Sequence, residues 1–281
     1  MDAGEILKNT GELPTLPTIY SQLLEAMSDS RSTAKDIAAI IEKDQASTLK
    51  ILKTVNSPVF GSVQKIDTIH NAIFFLGFKE VKNLVFSLSM FNMFKGYNST
   101  PYFNLVEYWK HSIAVGVIAR KLGEISGVKE VDNYFVAGII HDIGKLILLF
   151  HGKTDYSKVI DFTIENNTTI GRAEKEVLGF THNELGSFAA EKWAIPDSLK
   201  NAIKYHSSGM IGSRFDSLTA CVHLADILSR AMKLGNPGDN LIPKPNREIW
   251  KHINITPGAL NSVLPELLKA YSDSISILIT K

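Results

Sequence analysis

Residues Phe135 to Phe150 form a strongly apolar run with His141 and Asp142 at its centre and Lys145 close behind. Taking an ionised carboxylate out of water costs several kcal/mol even after relaxation, so the chain must offset it there with a cation, hydrogen-bond donors or a metal. The adjacent imidazole and carboxylate can both ligate one divalent ion, and Lys145, one turn beyond Asp142, can set a cation beside a bound anion. A His-Asp pair can also be satisfied by neighbouring backbone alone, so the rest of the chain has to decide between the two readings.

Apolar residues recur at helical spacing almost everywhere, and no stretch alternates between hairpin signals for long enough to argue for a sheet. The fold class is therefore all-α. Ser32 or Thr33 can cap a helix through Ile37, Ile40 and Ile41, and Ser47 or Thr48 can open the next, ending at Asn56-Ser57-Pro58. Thr68 to Phe94 reads as two helices split at Gly77. Gly96-Tyr97-Asn98-Ser99-Thr100-Pro101 concentrates turn-forming residues, which predicts two helical domains, 1–98 and 99–281. Beyond it, helices are predicted at Leu105–Ser126, Val131–Phe150, Tyr156–Asn166, Ile170–Leu178 and His182–Trp193, the last opened by a Thr181/Glu184 capping box. Pro196 starts a helix toward His206, and Asp216 to Leu234 forms another. The final one begins near Gly258, and Ile275, Ile277 and Ile279 either continue it or lie extended.

Thirty basic against twenty-nine acidic side chains leave a formal charge of +1, so no overall field draws in nucleic acid or an anionic membrane. The lone Cys221 excludes an intrachain disulfide and suits a reducing compartment. Met1 to Ile19 lacks the cationic start and apolar centre of a signal peptide, and charges interrupt every long apolar run. A cytoplasmic protein is expected.

Three helices each aim an ionisable group at an apolar face. His111 shares a face with Val115, Ile118, Leu122 and Ile125; His141 shares one with Tyr134, Gly138 and Leu148; Asp226 follows Leu218 and Val222. His111, His141, Asp142 and Asp226 would offer two nitrogen and two oxygen ligands to a divalent transition metal such as Zn, Mn, Fe or Ni. His182 and His206 could hold a second ion or line the pocket. Equally, His182 could be a solvated first-turn residue and His206 a histidine favoured at a helix C-terminus. One ion is expected ahead of two.

His111, His141-Asp142 and Asp226 follow the order His, His-Asp, Asp, and so resemble the HD superfamily of metal-dependent phosphohydrolases. A closer resemblance is to the HDOD family, the HD-related output domain of bacterial signalling proteins. It is carried by Leu13-Pro14-Thr15-Leu16-Pro17, Lys43-Asp44, Asn56-Ser57, Ala72-Ile73, Leu76-Gly77 and Trp109-Lys110-His111-Ser112. It continues through His141-Asp142-Ile143-Gly144-Lys145-Leu146, Thr181-His182-Asn183-Glu184-Leu185-Gly186, Trp193-Ala194-Ile195-Pro196 and Tyr205-His206. The chain departs from the related HD-GYP phosphodiesterases, with Tyr205-His206-Ser207-Ser208 where they show His-His-Glu. The resemblance implies an HD-like helical bundle in the second domain, a role in signal transduction and a protein partner.

Two functions follow. In the first, the chain is a regulatory module whose metal-binding domain passes a state to a partner. In the second, it is a phosphohydrolase acting on a nucleotide or other phosphate ester, with Asp142 and Lys145 as candidate catalytic residues, Lys145 stabilising developing phosphate charge. DNA binding through Ala72 to Val81 has the right apolar spacing but too few cations to hold phosphate.

Overall fold

The computed structural model describes residues 13–279 apart from 101, 132 and 152–155. Most of the stretch read as lacking a signal peptide (1–12), and Pro101 of the predicted break, lie outside the described residues. Among the described residues the protein is all-α as expected; pairing of extended backbone is limited to isolated bridges, Thr100 with Phe103 and Ile211 with Arg214. No helix among them is long and apolar enough to cross a membrane. The chain divides into two compact units, one of 15–96 with 264–279, the other of 13–14 with 97–263.

In the first unit α1 (Thr18–Ser28), α2 (Ala34–Glu42) and α3 (Gln45–Val55) pack on the long α4 (Ile69–Phe94). Tyr20, Leu23, Ile37, Ile41, Ile51 and Val55 are buried there, and the Tyr20 ring meets Phe86 at 4.9 Å. Thr33 caps α2 in a capping box with Asp36. The start of α3 differs from expectation: Asp44 is the cap, accepting from the Ala46 amide, and Ser47 Oγ donates to the same carboxylate at 2.6 Å. A carboxylate outcompetes a hydroxyl for the bare amides of a helix start. Gly77, at φ 81°, splits α4 as its position suggested.

The second unit begins with α5 (Leu105–Ile125), which packs against α6 (Tyr134–Ile140) and α12 (Ser217–Ala231). Between them come α7 (Ile143–His151), α8 (Ser157–Glu165), α9 (Ile170–Leu178), α10 (His182–Lys192) and α11 (Asp197–Tyr205); α10 packs on α7 and α11, and α9 on α8. A short 3₁₀ turn, Ile249–Lys251, follows α12; the last helix, α13 (Pro257–Leu278), belongs from 264 onward to the first unit and takes in Ile275 and Ile277.

The single helix expected over Val131–Phe150 is two. α6 ends at Ile140, α7 starts at Ile143, and His141 and Asp142 form the turn, closed by the Lys145 amide on the Asp142 carbonyl at 2.9 Å. Apolar periodicity cannot reveal this break because Tyr134 to Leu148 is buried on every side, so the pattern carries through the turn.

α5 and α6 meet through Gly116 and Gly138. A Cβ on Gly138 would overlap the Cα and N of Gly116, with no side chain able to give way. We expect Gly138→Ala to cost about 3 kcal/mol or more, the upper end for overpacking, because backbone must move. Urea unfolding of the variant beside wild type measures it.

Candidate metal centre

The fold brings the six predicted ligand residues into one buried cluster. His111 comes from the middle of α5, His141 and Asp142 from the α6–α7 turn, His182 from the first turn of α10, His206 from the end of α11 and Asp226 from α12. All six are buried. The donor atoms of His111, His141 and Asp226 lie within 4.8 Å of one another, and so do those of His141, Asp142 and His206. His182 Nε2 is 3.1 Å and His206 Nε2 3.3 Å from Asp142 Oδ1, while His111 Nε2 is 3.1 Å from Asp226 Oδ1.

Each imidazole is tethered by its outer nitrogen. Nδ1 of His141 donates to the Gly138 carbonyl at 2.7 Å and Nδ1 of His206 to the Ile203 carbonyl at 2.9 Å. Nδ1 of His182 lies 2.6 Å from Glu174 Oε2, and Nδ1 of His111 lies 2.7 Å from Ser229 Oγ. A carbonyl can only accept, so in the neutral rings of His141 and His206 the Nε2 lone pairs face inward. Nε2 of His111, His141 and His182, together with Asp142 Oδ1, are buried without a hydrogen bond of acceptable geometry. Buried polar atoms almost always find a partner, and these nitrogens, in their unprotonated form, set lone pairs beside carboxylate oxygens, which is the donor set of a divalent metal.

The carboxylates are held too. Lys145 Nζ, buried, donates to Asp142 Oδ2 at 2.6 Å and to the Pro237 carbonyl at 3.3 Å. Arg230 Nε donates to Asp226 Oδ1 at 2.8 Å, and its Nη1 reaches Asp239. Burial opposes ionisation of Asp142, but the neighbouring His141 and Lys145 outweigh it and hold the carboxyl well below its usual range. Asp226 is likewise held low against burial, chiefly by Arg230. Burial pushes His111 and His206 down to about 4. His182 moves the other way: burial would lower it, yet the Glu174 carboxylate raises it to about 9.

Sequence reasoning missed Glu174, Tyr156, Ser229, Arg230 and Asp239. Two of them carried a signal: Glu174 follows the apolar Ile170 by one helical turn, and Arg230 follows Asp226 by four residues, which is salt-bridge spacing. His223 donates to the His206 carbonyl at 2.7 Å and accepts from the Asn246 amide at 3.1 Å.

A cavity of about 490 Å³ opens on the cluster, lined by Lys145, His182, His206, Asp226, Arg172 and Lys204 among others. A larger one of about 670 Å³, lined by Tyr102, Asn104, Ile164 and Asn236, contains none of the six residues.

The HDOD domain profile matches residues 13–208. The chain belongs to the HDOD family. Among solved structures it is similar to an HDOD domain protein of unknown function from Geobacter sulfurreducens, with 24% identity and a TM-score of 0.76, covering 99% of this chain and 97% of that one. A candidate metal-dependent phosphohydrolase from Shewanella amazonensis SB2B is similar at 21% identity and TM-score 0.72, over 98% and 95% of the two chains. A candidate signal transduction protein from Marinobacter aquaeolei VT8 is similar at 17% identity and TM-score 0.70, over 95% of this chain and 59% of that one. These likenesses establish the fold. The chain spans 39% and 30% of the curated relatives it matches.

The two depressed histidines set a pH dependence for the metal-free protein. An unfolded imidazole titrates near 6.5 and takes its proton before folded His111 or His206, at about 4, can do so. Protons then favour the unfolded chain, so this contribution is whole above pH 6.5 and drains away between 6.5 and 4. His182, at about 9, contributes fully below 6.5 and loses its share as pH rises toward 9. Urea melts in chelator should therefore show stability falling on both sides of about pH 6.5. A flat profile from pH 4 to 9 would contradict these ionisation states.

Proposed function

We propose that this HDOD protein is a signal-transduction module whose second unit is organised around a divalent-metal centre, with a protein partner reading its state. The carrying observation is the set of histidines with outer nitrogens tied to protein and inward nitrogens unpaired beside two carboxylates. Nitrogen and oxygen donors without a thiolate suit Fe, Mn, Zn or Ni. His111, His141 and Asp226 would hold one ion, and His182, His206 and Asp142 another. This two-ion reading is supported by His182 and His206 both facing Asp142 Oδ1.

Metal analysis of protein purified without affinity-tag chelation should find at least one transition metal per chain, rising to two on loading. A chain that neither retains nor takes up metal would sink the proposal. Because His182 is held protonated near neutral pH, filling its site must expel that proton. Calorimetric titration with Mn²⁺ in buffers of different ionisation enthalpy should show release of about one proton at pH 7.

The cavity on the cluster favours a second reading, hydrolysis of a phosphate ester. Arg172, Lys204 and Lys145 give its wall the cations an anionic phosphate needs. A bound divalent ion supplies a water of lowered pKa there. Lys145 spends two donors on Asp142 and Pro237 and has one ammonium hydrogen beyond them for a phosphoryl oxygen. A phosphoester screen on metal-loaded protein tests this. Turnover that Lys145→Ala lowers by about 10²-fold or more, with metal retained, makes the chain an enzyme. Absence of turnover above a metal-only control leaves the regulatory reading alone.

A further inference from the structure

We infer that Glu174, braced by Tyr156, is the positioning residue that makes His182 a metal ligand, so that occupancy of the second half of the centre is set by a carboxylate that does not touch the ion. The inference rests on the two-ion reading above.

Glu174 lies on α9, fully buried. Its Oε2 accepts twice from one residue, from the His182 amide at 2.8 Å and from the His182 ring Nδ1 at 2.6 Å. Its Oε1 accepts the Tyr156 hydroxyl at 2.6 Å. Both oxygens are thus spent on fixing one imidazole and on fixing the carboxylate that fixes it. The ring so held points Nε2 at Asp142 Oδ1.

His182 is singular in this. The other three rings rest their outer nitrogens on neutral groups, the Gly138 and Ile203 carbonyls and the Ser229 hydroxyl. The reason lies in position. His182 opens α10, whose N-terminus carries the positive end of the helix dipole and disfavours a dication alongside. His206, by contrast, stands at a helix C-terminus, where the dipole favours a cation. An anion behind His182 offsets the local field and strengthens the imidazole as a donor.

The test measures Mn²⁺ binding by equilibrium dialysis with elemental analysis, on wild type, Glu174→Gln and Tyr156→Phe, after circular dichroism shows each to be folded. Glutamine keeps the volume and can still accept from His182, so it removes chiefly the charge. Glu174→Gln should weaken the second ion by about 10- to 100-fold and leave the first within about twofold. Tyr156→Phe keeps the charge and loosens its orientation, and should weaken the second ion by less, with the first unmoved. Should Glu174→Gln fail to fold, Tyr156→Phe alone carries the selective-loss criterion. Unchanged second-ion affinity in a variant, or equal weakening of both ions, overturns the positioning role while the two-ion reading stands. A wild type that saturates at one ion overturns that reading itself.

Discussion

The second unit is organised around one buried anion, the Asp142 carboxylate. Its solvation in water has to be replaced by protein groups, and the fold collects them from distant elements. Lys145 from the first turn of α7 takes Oδ2, while His182 of α10 and His206 of α11 approach Oδ1. Such convergence needs α7 and α10 in near backbone contact. Gly144 provides it: a Cβ there would collide with the His182 carbonyl and lie 2.9 Å from the Gly186 amide nitrogen. The turn between α6 and α7 serves the same end, letting His141 and Asp142 leave a helical run that would otherwise send them to different faces.

A second ring of charge stands behind the first. Asp226 is gripped by Arg230, Arg230 by Asp239, and Asp239 accepts from the amides of Ile170 at 3.3 Å and Leu241 at 3.2 Å. Through these links α12, the loop after it and the start of α9 share one network. Lys145 is tied to that loop as well, at Pro237. Buried polar networks of this kind restrict each member to one orientation, which is what a metal site requires of its ligands.

What the sequence discloses follows from the range of the forces involved. His111, His141, Asp142 and Asp226 were legible because each interrupts an apolar helix face, a local pattern. Capping at Thr181, and at Thr33 with Ser32 as the alternative, was legible for the same reason, since a cap acts within one turn. His182 and His206 were ambiguous, because helix ends are ordinary places for a histidine and nothing nearby in sequence shows them facing Asp142. Glu174 went unread because its partners stand 8 and 18 residues away, beyond any helical repeat. The break after Ile140 escaped for the opposite reason, a uniformly buried segment in which periodicity carries no information about termination.

Charge bookkeeping joins the centre to its cavity. Asp142, Asp226, Asp239 and Glu174 bring four carboxylates, and Lys145 and Arg230 two permanent cations, so with neutral histidines the buried set carries a formal charge of −2. A dry interior tolerates such an excess poorly. His182, raised to about 9, takes up one proton and halves it. One divalent ion would bring the set to zero; two would leave it at +2, and an anion drawn from solvent would then complete the balance. That anion would enter through the cavity where Arg172 and Lys204 already line the wall. On the signalling reading proposed above, filling the centre would reverse the sign of its charge, and that reversal, with the anion it would draw into the cavity, is what a partner protein would distinguish.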